Sequence, residues 1–170
     1  MRPVPTDPDA YREWLAEGNA TQARKRVAAD VLIRDPAGRV LLVDPTYKPG
    51  WDLPGGMVEV NEPPHDAALR ELGEELGLEI VLHGLLVVDW VPPHGPWDDQ
   101  ISIIFDGGQL DDHTVSSLRP RDDELSAAKF VSLGTAMSMV RERMARRLDA
   151  SFKALATGRT LYLHDGRPAL

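Results

Sequence analysis

The segment from Pro63 to Gly77 constrains this chain more than any other. Leu69, Leu72 and Leu76 recur at spacings of three and four, so a helix over Pro63–Leu76 gathers them on one face for burial. Pro63 suits the first turn, where its missing N–H has no partner to lose, and Gly77 suits a left-handed C-terminal cap. Glu71, Glu74 and Glu75 share a different face by the same spacings. A helix with one apolar stripe needs a surface to cover, and the segments around it read as strands.

VAADVLI and RVLLVD, joined by the turn Asp35-Pro36-Ala37-Gly38, read as an antiparallel hairpin. The Pro- and Gly-rich stretch from Pro45 to Asn61 reads as a loop with short extended pieces. LLVVDWV and ISIIFDG read as further strands on either side of the loop PPHGPWDDQ, and KFVSL and TLYL as short ones. The polar stretch Gln109–Glu124 reads as a loop. Thr135–Ala156 reads as one helix, with Arg141, Arg143, Arg146 and Arg147 as its polar complement. Thr6-Asp7-Pro8 opens a short amphipathic helix that presents Tyr11, Trp14 and Leu15 and ends at Gly18. This order gives an α/β fold with a mixed sheet between helices. With no repeat or low-complexity linker, 170 residues make one domain. Residues 1–22 are then a helical extension and 134–170 a C-terminal helix and tail.

The absence of cysteine excludes disulfides, thiolate zinc sites and cysteine nucleophiles, and fits a cytoplasmic location. The five histidines show no zinc-type spacing. No apolar run approaches the ~18–20 residues of a bilayer span, and MRPVPTDPDAYREW lacks the apolar region of a secretory signal, so no membrane partner is expected. A net charge of −8 argues against a nucleic-acid partner. An anionic substrate would instead need a local counter-charge, for which a divalent cation is suited.

Three carboxylates on one helical stripe repel one another, and in the second half of a helix they also oppose the macrodipole. A solvated surface with Arg70 paired to Asp66 or Glu74 is the ordinary explanation. A hard cation such as Mg²⁺, held by carboxylate oxygens and shared with substrate phosphates, is the functional one.

The wider spacing separates the two. GMVEVNEPPHDAALRELGEELGL, from Gly56 to Leu78, resembles the signature of the Nudix hydrolase family, G-x5-E-x7-R-E-U-x-E-E-x-G-U with U aliphatic. The fixed positions are Gly56, Glu62, Arg70, Glu71, Leu72, Glu74, Glu75, Gly77 and Leu78. Trp51-Asp52-Leu53-Pro54-Gly55-Gly56 is similar to the family's approach to this box, and Glu124-Leu125 with Phe130-Val131 to its downstream acid and strand. Asn61 stands where many members have glycine, and asparagine tolerates the left-handed backbone required there. Gly73, costly within a helix, is expected to pack closely against a neighbouring loop.

The resemblance implies a Nudix-type α/β/α sandwich and a pyrophosphohydrolase. Metal-activated water would attack a diphosphate linkage of a nucleoside triphosphate, an oxidised deoxynucleotide, ADP-ribose or a nucleotide sugar. It implies Mg²⁺, with Mn²⁺ as a substitute, held by Glu71, Glu74 and Glu75, with the Gly56 carbonyl as a further ligand. Arg70 orients the carboxylates, and Glu62 holds loop and helix together through backbone groups or Arg70. The general base is a box glutamate (Glu74 or Glu75) or a later acid, with Glu124 ahead of Asp122 and Asp123. Trp97, His94 and Gln100 are candidate substrate contacts in a loop equipped to stack and bond a base, and Lys48 for a phosphate. Many relatives pair, so a homodimer is compatible. The competing reading is a catalytically silent, nucleotide-binding regulatory domain of the same fold.

Overall fold

The computed structural model describes residues 4–169. In chain order the elements are α1 (Pro8–Thr21), β1 (Arg26–Arg34), β2 (Val40–Pro45), β3 (Gly55–Met57), α2 (Pro64–Leu76), β4 (Gly84–Val91) and β5 (Gln100–Gln109). There follow α3 (Asp112–Ser117), β6 (Leu125–Val131), α4 (Leu133–Met139), α5 (Glu142–Thr157), β7 (Leu161–His164) and β8 (Arg167–Pro168).

The strands form one mixed sheet in the order β6-β2-β1-β5-β4-β7-β8, with β3 paired to β1 off that path. β1 runs parallel to β5 and β4 parallel to β7. Both faces are covered, so β1 and β2 are apolar at nearly every position. Leu32, Val40 and Leu42 face a core shared with α4 and α5. Val31, Ile33, Leu41 and Val43 face a second core under α2. Period-2 alternation thus feeds two separate layers, and the expected α/β/α sandwich is what the chain adopts.

Several elements differ from the sequence reading. The β1–β2 hairpin is paired only near its turn, at Arg34–Val40. Beyond it the strands part, and residues 51–57 enter the gap: Asp52 pairs with Val43, and Gly55, Gly56 and Met57 pair with Asp30, Ala29 and Ala28. Gly55 makes this wedge possible, since a Cβ there would lie 2.3 Å from the Ala29 carbonyl oxygen. The polar stretch before β6 contains α3, capped by Asp111, whose carboxylate accepts from the Thr114 amide at 2.7 Å. The single C-terminal helix is two, because Val140 takes an extended conformation and bridges to Trp51. α1 continues through Gly18 to Thr21, and none of its residues is buried. In α2 the buried face is Ala67, Ala68, Leu72, Glu75 and Leu76, while Leu69 is half-buried. Gly73 faces open space: a Cβ on it would have no neighbour within 4 Å, so the expected close packing is absent.

Candidate functional site

α2 starts at Pro64 after the extended Pro63 and stops at Gly77, whose φ of 63° is the left-handed cap. Asn61 also adopts a left-handed backbone, with φ 63°, and turns Glu62 back towards the helix. There Arg70 receives it: Nε donates to Glu62 Oε1 at 2.8 Å and Nη2 to Oε2 at 3.0 Å. The same guanidinium donates from Nη1 to Glu71 Oε1 (2.9 Å) and Glu74 Oε2 (3.1 Å). Glu62 also accepts from the Glu59 amide at 2.8 Å. Arg70 therefore fastens the loop to α2 while drawing two acids to one cation, and those bonds raise its own pKa further.

The three box glutamates are not equivalent. Glu74 is on the solvent side, with 58% of its side chain exposed. Glu71 is half-buried and packs over Gly56, where a Cβ would lie 2.4 Å from its Oε1. Burial raises the Glu71 pKa against the opposing effect of Arg70, and Glu74 and Glu124 raise it further. Glu75 is 3% exposed, and its Oε2 is buried with no hydrogen-bond partner. Its carboxyl is pushed up to about 8, first by burial, then by Glu71 and Asp122, with Glu124 adding to both. The structure thus brings Glu124 and Asp122, from the loop before β6, into the field of Glu71 and Glu75. Glu124 itself is exposed, and its carbonyl anchors the Thr46 amide at 2.8 Å.

A divalent cation fits this donor set: hard oxygens, mutual repulsion, and one buried carboxylate oxygen left without a donor. Among the described residues no three such groups already converge as metal ligands, and Arg70 holds Glu71 and Glu74 in the arrangement seen.

Glu75 and Gly56 open onto a cavity of about 310 Å³ that Lys48, His94, Trp97 and Gln100 also line. Lys48 donates to Asp52 at 2.8 Å. His94 Nδ1 lies 2.9 Å from the Pro92 carbonyl, and its backbone bridges to Trp97. Trp97 is 55% exposed, with the Arg26 guanidinium 4.5 Å from its ring centroid.

Sequence reasoning missed the cavity's interior. Asp30 on β1 is buried and lines the cavity, and among the described residues its carboxylate accepts a single long bond, at 3.4 Å from the Ser102 hydroxyl. Burial and then Asp52 push its carboxyl up to about 7, against Arg147, Lys48 and Ser102. Arg147 of α5 reaches the same space and donates from Nε to the fully buried Asp89 at 2.7 Å. Asp89 also accepts from the Gly166 amide at 3.0 and 3.1 Å. The available signal was an acid inside an apolar strand run, in VAADVLI and in LLVVDWV. Such an acid is buried only with a partner or a purpose.

Comparison with known proteins agrees with this fold. The NUDIX domain model matches residues 24–154. The 8-oxo-dGTP diphosphatase of Proteus vulgaris is 50% identical over 36 residues, 21% of this chain and 32% of that protein. The chain spans about a third to a half of the length of the curated relatives it matches. A solved UDP-X diphosphatase superposes with a TM-score of 0.67 at 18% identity, covering 94% of this chain and 88% of its own. The NUDIX domain of Shewanella oneidensis NrtR, solved with ADP ribose, gives a TM-score of 0.68 at 17% identity, covering 85% and 97%. With the box intact on a helix of the shared fold, and the family model spanning most of its length, the chain belongs to the NUDIX domain family.

Proposed function

We propose that this protein is a pyrophosphohydrolase acting on a nucleoside diphosphate derivative and dependent on a divalent metal, with Mg²⁺ as the working ion. The observation that carries this reading is Glu75: a buried carboxyl with an unpartnered oxygen, beside Glu71, lining a cavity whose wall also carries Arg26, Lys48, Arg141 and Arg147. Glu71, Glu74, Glu75 and the Gly56 carbonyl would hold the metal. The bound ion would acidify water and neutralise charge developing on the phosphoryl oxygens.

The chain's residues supply the rest. Arg70 positions Glu71 and Glu74 while Glu62 restrains Arg70 from the loop side. Glu124 accepts the proton of the attacking water. As the new P–O bond forms, the bridging P–O bond breaks and the departing phosphoryl oxygen carries away the electron pair. Lys48 meets the anionic diphosphate, and Trp97, His94 and Gln100 line the path of the group attached to it. The names of related proteins support a diphosphate substrate: an 8-oxo-dGTP diphosphatase, a UDP-X diphosphatase and an RNA pyrophosphohydrolase are among them.

The test is a Mg²⁺-dependent hydrolysis screen. It covers nucleoside triphosphates, oxidised dGTP, ADP-ribose, nucleotide sugars and dinucleoside polyphosphates, with products identified by mass. Cleavage of one class, abolished in Glu75→Gln, supports the reading. Nucleotide binding without cleavage of any class would transfer support to a silent nucleotide-binding domain.

A further inference from the structure

Away from the box glutamates, the cavity becomes cationic. Its wall there carries Lys48, Arg141 and Arg147, and a second lobe of about 200 Å³ lies between the same three residues and His94. In a chain of net charge −8, this concentration of positive charge calls for an explanation.

The three cations are not equally occupied. Lys48 is matched by Asp52 at 2.8 Å. Arg147 is 7% exposed and held by Asp89 through Nε alone. Asp89 is fixed in turn by the Gly166 amide, so the guanidinium cannot swing away. Its Nη groups have no acceptor among the described residues, although an arginine carries five donor hydrogens. Arg141, at the start of α5, donates to the Pro49 carbonyl at 3.1 Å and pairs with no carboxylate among the described residues. A buried, pre-oriented guanidinium with free donors beside an uncompensated arginine is suited to a carboxylate or phosphate. Asp30 lines the same cavity, and burial favours its neutral form.

We propose that Arg141 and Arg147 form a subsite for a second anionic group of the substrate, beyond the diphosphate that Glu75 and Lys48 face. The preferred substrates are then nucleoside diphosphate derivatives that carry an additional phosphate or carboxylate. Asp89 acts through Arg147 as a positioning residue. This inference rests on the hydrolytic reading above for its substrate class, though the anion subsite can be tested without it.

The test uses the full chain with Mg²⁺ and pairs of substrates that differ in one anionic group. These are ATP against ADP for phosphate, and UDP-glucuronate against UDP-glucose for carboxylate. Where a pair is hydrolysed, kcat/KM of the charged member exceeds that of its partner by roughly tenfold, the worth of one charge-assisted contact. That ratio collapses towards unity in Arg141→Ala, an exposed position whose replacement spares the core. The pair that shows it identifies the anion. Equal rates, or a ratio that survives Arg141→Ala, overturn the inference and leave the hydrolytic reading standing. Where no pair is hydrolysed, inorganic phosphate in EDTA decides. A rise of about 2 °C in melting temperature at millimolar phosphate, absent in Arg141→Ala, upholds the subsite, and the hydrolytic reading is decided by the wider screen. No rise overturns the subsite and leaves the hydrolytic reading to that screen.

Discussion

The Arg70 guanidinium grips the Glu62 carboxylate through two nitrogens, at 2.8 and 3.0 Å, and so joins the loop that follows β3 to the helix that carries Glu71. This is a fork-to-fork contact, which a lysine ammonium cannot reproduce. Arg70→Lys is therefore expected to fold, to leave Glu71 and Glu74 less well oriented, and to raise the Mg²⁺ concentration needed for turnover by about 10–100-fold. A Mg²⁺ titration of initial rates reads this directly. An unchanged half-saturating concentration would show that Arg70 does not position the carboxylates.

Glu75 combines burial with an unpartnered oxygen. Glu75→Gln keeps the shape and removes the charge, so the fold is expected to persist while turnover falls by about 10²-fold or more. Because a cation that binds only the folded state stabilises it, millimolar Mg²⁺ should raise the melting temperature of the native chain and not of the variant. An equal rise in both would place the metal elsewhere.

Asp30 gives a pH signature. Its carboxyl, normally near 3.8, is raised to about 7 in the folded chain, chiefly by burial. The unfolded state loses this proton first, so the group costs stability progressively as pH rises from about 4 to about 7, and the cost is constant above that. By the size of the shift it is on the order of 4 kcal/mol at most. Asp30→Asn should match the native chain in urea unfolding at pH 4 and exceed it at pH 8. A difference that does not grow between those two conditions would refute the assignment.

The fold was legible where periodicity and punctuation coincide. α2 is bounded by Pro63 and Gly77 as expected, and the apolar runs became strands. The failures have particular causes. Nothing local in VAADVLI or RVLLVD shows that residues 51–57 will part the two strands, since that wedge depends on a close approach of Gly55 to Ala29. Thr135–Ala156 keeps helical spacing on both sides of Val140, so only the bridge to Trp51 reveals the break. The box glutamates were visible because they are close in sequence. Asp30, Asp89 and Arg147 come together from three separate elements, and the arginines of α5 looked like solvated polar complement.

Two glycines of the box region should respond in opposite ways to alanine. At Gly73 a Cβ meets nothing within 4 Å, and the residue lies inside α2. Gly73→Ala is thus expected to stabilise the chain by up to ~1 kcal/mol through helix propensity, with activity retained. At Gly56 a Cβ would fall 2.4 Å from Glu71 Oε1 and 2.5 Å from its carboxyl carbon. Because that contact is the end of a side chain, Gly56→Ala is accommodated by displacing the carboxylate rather than by unfolding. The melting temperature should change little while Mg²⁺-dependent turnover falls by about 10-fold or more, as a shifted ligand implies. Thermal melts and rate measurements on the two variants separate these effects. A Gly56→Ala protein with full activity would mean that Glu71 need not occupy the place over Gly56 for catalysis.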